Sequence, residues 1–111
     1  FDGRVRVAAG AVKTDARQAN RNLLLSGDAE ADSKPHLEIF ADDVKCSHGS
    51  ATGGLDAGQL FYLRSRGLDE AQARAMLVEA FAAEVLDGVE GPLRETLASW
   101  LHEKLEDRHA A

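Results

Sequence analysis

The sequence predicts an α+β protein, with short β-strands in residues 1–54 and helices in residues 55–111. The first half contains about four short apolar runs that are separated by turn residues and show no helical period. In the second half, aspartates followed three residues later by glutamines precede apolar residues at helical spacing, which indicates capped helices. Strand-rich sequence therefore gives way to helical sequence near Gly54.

The length and net charge of the chain limit the classes of protein to which it can belong. A chain of 111 residues suits one small domain or a piece of a longer protein, and its start in strand-like sequence without a methionine favours a piece. A net charge of −6 argues against sequence-independent nucleic-acid binding. No apolar run reaches the ~18–20 residues of a membrane-spanning helix. The single cysteine excludes an internal disulfide and predicts a reducing, cytoplasmic location.

The strand predictions rest on alternation and on flanking turn residues. Polar and apolar residues alternate at 4–7, and apolar runs recur at 23–25, 36–40 and 44–48. Gly49 to Gly54 is predicted to be a flexible connection to the first helix. Short strands at this spacing fit a sandwich, a barrel or a β-solenoid. The end of a solenoid would expose a strand edge, through which we expect the chain to self-associate.

The helix predictions rest on end signals. Asp56 and Asp69 are predicted N-caps, each with a glutamine three residues later. Gly67 is placed to end the first helix in a left-handed conformation, and Pro92 suits the first turn of a third helix. The predicted apolar stripe of the second helix consists of Met76, Leu77, Ala80, Phe81 and Val85.

Cys46 and His48 are the candidate metal ligands. They lie two residues apart in the fourth predicted strand, so their side chains share one face. A thiolate and an imidazole suit soft or borderline metals, but two donors do not complete a site. The remaining ligands would come from another chain or from His36 on a neighbouring strand. The alternatives are a structural thiol and histidine, or a catalytic dyad that α-carbons about 7 Å apart would hold only loosely.

The first predicted helix carries aromatic and basic residues together. Such a mixture fits an ordinary amphipathic helix or a docking face for a partner, because Tyr and Arg are enriched in binding hot spots. The candidate partner-binding residues are Leu60, Phe61, Tyr62, Arg64 and Arg66.

Two segments resemble the C-terminal region of a known family. They are residues 37–49, Leu-Glu-Ile-Phe-Ala-Asp-Asp-Val-Lys-Cys-Ser-His-Gly, and residues 60–67, Leu-Phe-Tyr-Leu-Arg-Ser-Arg-Gly. Both are similar to the SufB/SufD family of iron–sulfur cluster assembly scaffold proteins, and the Cys-Ser-His-Gly run is closer to the SufD members. The resemblance extends over roughly residues 1–86. Residues 49–54 depart from the family's usual pattern, which puts the conformation of this loop in question.

The resemblance implies a fold. It indicates that residues 1–54 are the terminal coils of a right-handed parallel β-helix and that residues 55–111 are a helical C-terminal domain. The missing remainder of the family's length would contain most of that β-helix.

The resemblance also implies a function. His48 would contribute a ligand to a nascent iron–sulfur cluster at the interface with SufB, and Cys46 would be either a second ligand or a structural neighbour. The cluster is transient, and no cofactor is expected in the isolated chain. The helical region 56–86 would contact the ATPase SufC, which alone would hydrolyse ATP, so no catalytic residue is expected here. No nucleic acid and no membrane is implied.

Overall fold

The computed structural model describes residues 1–109 of the chain. The described residues divide into two compact units, the first Phe1–Gly54 and the second beginning at Leu55. The last two positions of the predicted helical half, 110 and 111, lie outside the described residues. In chain order, four strands are followed by three α-helices, with a short 3₁₀ helix between the second and the third.

The first unit is built from parallel strand pairs. Its strands are β1 (Asp2–Val7), β2 (Asp15–Leu23), β3 (Lys34–Ile39) and β4 (Lys45–Gly53). β1 pairs with β3 so that Asp2 lies beside Lys34, and β2 pairs with β4 so that Asp15 lies beside Lys45. The partners in each pair are about 30 residues apart, because a parallel pair requires a connection that returns the chain to the same end.

The prediction of the end of a right-handed parallel β-helix is wrong. The described strands form two separate sheets of two strands each, with the orders β1-β3 and β2-β4. A solenoid needs successive coils stacked into continuous sheets, and within residues 1–109 neither sheet gains a third strand. The two strand pairs are parallel, and the class of the chain is α+β.

Two strand boundaries also differ from the prediction. β2 occupies Asp15–Leu23, earlier than the apolar run at 23–25, and β4 continues through the predicted flexible connection to Gly53. These segments are polar or glycine-containing, so their own β-propensity is low. Hydrogen bonds between the two strands hold them extended, up to the bond of 2.8 Å from Leu24 N to Gly53 O.

Two stacked turns bring the strands into register. Lys13 and Asp43 precede β2 and β4, and both adopt left-handed backbone conformations, with φ of 61° and 52°. The Lys13 N–H donates a hydrogen bond of 2.7 Å to the Asp43 carbonyl. Because the turns match, the strands that leave them start side by side.

The second unit contains α1 (Ala57–Ser65), α2 (Glu70–Ala83), a 3₁₀ helix (Glu84–Leu86) and α3 (Pro92–His109). Both predicted N-caps are confirmed, since Asp56 accepts from Gln59 N at 2.7 Å and Asp69 forms a complete capping box with Gln72. Gly67 has a φ of +100°, as predicted for a helix end. No helix in the described part of the chain is long and apolar enough to cross a membrane.

The buried apolar side chains are few. Among the described residues they are Val7 in the first unit and Ala73 and Leu86 in the second. Met76 and Val85, predicted to lie in the apolar stripe of α2, are 48% and 76% exposed. α2 ends at Ala83, so Val85 lies in the 3₁₀ helix. It is therefore not part of the apolar face of α2.

Gly3 lies on β1 close to the side chain of Gln18 on β2. A Cβ at Gly3 would overlap the side-chain amide of Gln18 and the ring of Phe1. We expect Gly3→Ala to lower the free energy of unfolding by about 1 kcal/mol or less, at the low end of overpacking, because the groups that it meets are the ends of side chains that can move aside. Chemical denaturation of the chain measures this change.

The matched control is Gly49→Ala, because Gly49 is also a strand glycine and a Cβ there would meet nothing within 4 Å. An equal loss in both variants would show that glycine replacement, rather than the contact with Gln18, causes the destabilisation.

Candidate functional site

The predicted ligands Cys46 and His48 both lie on β4. Alternation along the strand places them on one face, opposite Ala16 and Gln18 of β2. Cys46 is half-buried and His48 is exposed. The strand therefore presents an accessible imidazole next to a partly covered thiol.

These two donors do not form a complete metal site. Among the described residues, no group of three or more His, Cys, Asp or Glu side chains could hold a metal ion. His36, considered as a third ligand, lies on β3, and its Nε2 is 3.4 Å from Asp2 Oδ1 across the β1–β3 sheet. Cys46 and His48 therefore provide two ligands of an incomplete metal site, a soft thiolate and a borderline imidazole.

The geometry does not favour a catalytic dyad. Side chains at i and i+2 of a strand start from α-carbons about 7 Å apart. Within residues 1–109 no hydrogen bond joins the Cys46 thiol to His48, whereas an activated cysteine needs its base within hydrogen-bond reach. The pair therefore fits ligation better than nucleophilic catalysis.

The same face of the β2–β4 sheet carries further polar side chains. Asn22 Nδ2 donates to Asn20 Oδ1 at 2.7 Å and to Thr52 Oγ1 at 3.2 Å. Gln18 lies between this cluster and the level of Cys46, opposite His48. Sequence reasoning missed these β2 residues, although amides at alternate positions from Gln18 to Asn22 could have indicated a polar strand face.

The predicted partner-binding residues of α1 divide into two groups. Phe61 and Tyr62 are 75% and 56% exposed, whereas Leu60 is half-buried. The Arg64 guanidinium lies 3.7 Å from Glu70, and that of Arg66 lies 5.2 Å from the centre of the Tyr62 ring. Arg66 is therefore held beside the exposed Tyr62 ring, whereas Arg64 is held beside the first residue of α2.

A groove lies next to this aromatic surface, between α1 and α2. Its volume is about 480 Å³, and both helices contribute to its walls. The apolar lining residues include Tyr62, Leu63, Met76, Leu77 and Ala80. Exposed aromatic and methionine side chains beside an open groove are typical of a protein-binding surface.

Comparison with known proteins assigns the class. Residues 1–81 match the family model of the SUF system FeS cluster assembly SufBD core domain. The chain therefore belongs to the SufBD family of iron–sulfur cluster assembly proteins, which confirms the resemblance noted in the sequence.

Curated relatives agree with this assignment. The chain is 50% identical over 100 residues to the iron–sulfur cluster assembly protein SufD of Escherichia coli, covering 88% of this chain and 24% of the relative. It is 48% identical over 103 residues to a SufBD family protein of Synechocystis, with coverages of 88% and 23%. Identity to SufD of Bacillus subtilis is 35% over 108 residues, covering 96% and 24%. The chain thus spans about a quarter of the length of these relatives.

Proposed function

We propose that this chain is part of a scaffold subunit on which an iron–sulfur cluster is assembled as cargo. The observation that carries the proposal is a pair of donors, Cys46 and His48, on one strand face, with no group of three or more potential metal ligands among the described residues. Family membership supplies the iron–sulfur chemistry. His48 is the proposed ligand, since its imidazole is exposed, and Cys46 is a second ligand or a structural neighbour.

The partner proposed to complete the site is SufB. A cluster held between two chains can be released when the chains separate, which suits an assembly scaffold better than a closed cage. Every strand of a two-stranded sheet has one unpaired edge, so β4 can accept a partner strand beside its ligands. Donors on that strand would then face His48 and Cys46.

A second contact is proposed between α1 and SufC. The exposed Phe61 and Tyr62, flanked by Arg64 and Arg66, combine the apolar, aromatic and basic character of binding hot spots. Half-buried Leu60 would support this surface from below. ATP hydrolysis is assigned to SufC, and the role of this chain is to bind and position. A cytoplasmic location belongs to the same proposal, because a reducing compartment keeps Cys46 available as a thiol.

The alternative is a protein–protein interaction module in which Cys46 and His48 are only structural. The observations that favour it are the half-buried thiol and the exposed aromatic surface of α1. The two functions differ in one consequence: only the scaffold requires the imidazole of His48 for cluster formation.

Replacement of His48 tests the scaffold role. In the full-length subunit assembled with SufB and SufC, we expect His48→Ala to reduce the yield of reconstituted cluster at least about tenfold, because a ligand is lost. Cluster yield is measured by the visible absorption of the complex and by iron and sulfide analysis.

SufC binding should be unchanged in the same variant, which shows that the subunit is folded. The control is His36→Ala, which removes a histidine from the other sheet. An undiminished cluster yield in His48→Ala would favour the interaction module.

Replacement of Phe61 tests the docking surface. We expect Phe61→Ala to weaken SufC binding by about tenfold or more, as the loss of an exposed aromatic hot spot does. Isothermal titration of the full-length subunit with SufC measures the affinity. Leu93→Ala is the matched control, since Leu93 is a 59% exposed apolar residue on α3 rather than on α1. Equal effects of the two substitutions would argue against a specific surface on α1.

The open edge of β4 predicts self-association of the isolated chain. The Lys45 N–H bonds to β2, so the N–H groups at alternate positions 46, 48 and 50 point to the open side. We expect sedimentation velocity to show a dimer that dissociates on dilution. Ser50→Pro should weaken it by removing an outward N–H, whereas Ser50→Ala should not. A monomer at every concentration would contradict this expectation.

A further inference from the structure

We propose that Gln18 is a positioning residue for His48, and that its side-chain carbonyl accepts one ring N–H and fixes the imidazole tautomer. This inference rests on the proposed role of His48 as a ligand to the cluster. It adds a residue from a different strand to the site.

The register of the β2–β4 pair places the two residues together. Gln18 and His48 are direct partners in the parallel ladder, so their side chains leave the sheet on the same face. Neighbouring strands lie about 4.8 Å apart, which a glutamine and a histidine side chain can span. No residue intervenes between them along the ladder.

Gln18 has an acceptor that needs a donor. Its Oε1 is buried and has no hydrogen-bond partner among the described residues. Its Nε2 lies over Gly3, where the absence of a Cβ makes room for it. A buried carbonyl without a donor is unfavourable, so a neighbouring N–H should be drawn to it.

His48 can supply that N–H. Within residues 1–109 no hydrogen bond or ion pair involves its ring, and its exposure leaves the imidazole free to turn towards β2. A neutral imidazole has one N–H donor and one nitrogen lone pair. Donation to Gln18 Oε1 would fix which nitrogen carries the proton, and the other nitrogen would then present its lone pair to iron.

The side chain of Asn20 provides a comparison with Gln18, because its carbonyl oxygen has a hydrogen-bond donor. Asn20 lies two residues along the same face, and its Oδ1 already accepts from Asn22 at 2.7 Å. Gln18 has no such partner, although both side chains end in the same carboxamide group. Asn20 is therefore a matched control for Gln18.

The test measures the tautomer of His48 directly. Long-range proton–nitrogen NMR spectra of the histidine-labelled 111-residue chain, recorded at alkaline pH where imidazole is neutral, report which ring nitrogen is protonated. We expect one tautomer to dominate at His48. In Gln18→Met, which keeps the length of the side chain without the acceptor, the tautomer ratio should fall about fivefold, as expected for one lost hydrogen bond.

Control variants separate this effect from a general disturbance. Gln18→Glu, which keeps an acceptor oxygen, and Asn20→Ala should both retain the dominant tautomer. If Gln18→Met does not fold, Gln18→Leu replaces it, and the amide spectrum identifies the folded variant. An unchanged tautomer ratio in the folded variant without the acceptor overturns the inference.

This readout is independent of the proposed function. A tautomer shift in Gln18→Met supports the hydrogen bond whatever the cluster yield of His48→Ala. Conversely, a loss of cluster yield in His48→Ala without any tautomer shift in Gln18→Met supports the ligand and overturns the role of Gln18.

Discussion

The parallel pairing of β2 with β4 is the constraint on which the first unit depends. Neither strand is strongly apolar, and in the part of the chain that the structure describes each has one partner strand. The stacked turns at Lys13 and Asp43 start the two strands in step. This register then decides which β2 side chains lie beside Cys46 and His48. A shift of one residue would turn those β2 side chains to the other face of the sheet, because the side-chain period of a strand is two.

The candidate site and the proposed docking surface of α1 share one property: each lacks the groups that would complete it. Cys46 and His48 offer two donors on a sheet whose edges are open, and α1 displays Phe61 and Tyr62 beside a groove. Few side chains are fully buried in either unit. Apolar surface and unpaired strand edges favour association with other chains. These features suit a subunit that functions within a complex, as expected for a scaffold.

Local signals were reliable where they depend on neighbours in sequence. The caps at Asp56 and Asp69 and the start of α3 at Pro92 agree with the structure, since each depends on residues within one helical turn. The face shared by Cys46 and His48 follows from alternation alone. The extent of β2 and β4 was not predictable in this way. Their polar residues are held extended by a partner about 30 positions away, and no local pattern records that pairing.

The amino-acid sequence by itself determined the order of strands and helices, the helix starts, the family and the two candidate ligands. Only the tertiary structure decided that the strands form two separate two-stranded parallel sheets, and that Met76 lies exposed beside a groove. It also paired His48 across the sheet with Gln18, whose side-chain carbonyl has no hydrogen-bond partner among the described residues. The physical reason is that caps and alternation are short-range properties, whereas register and burial depend on which distant segments meet.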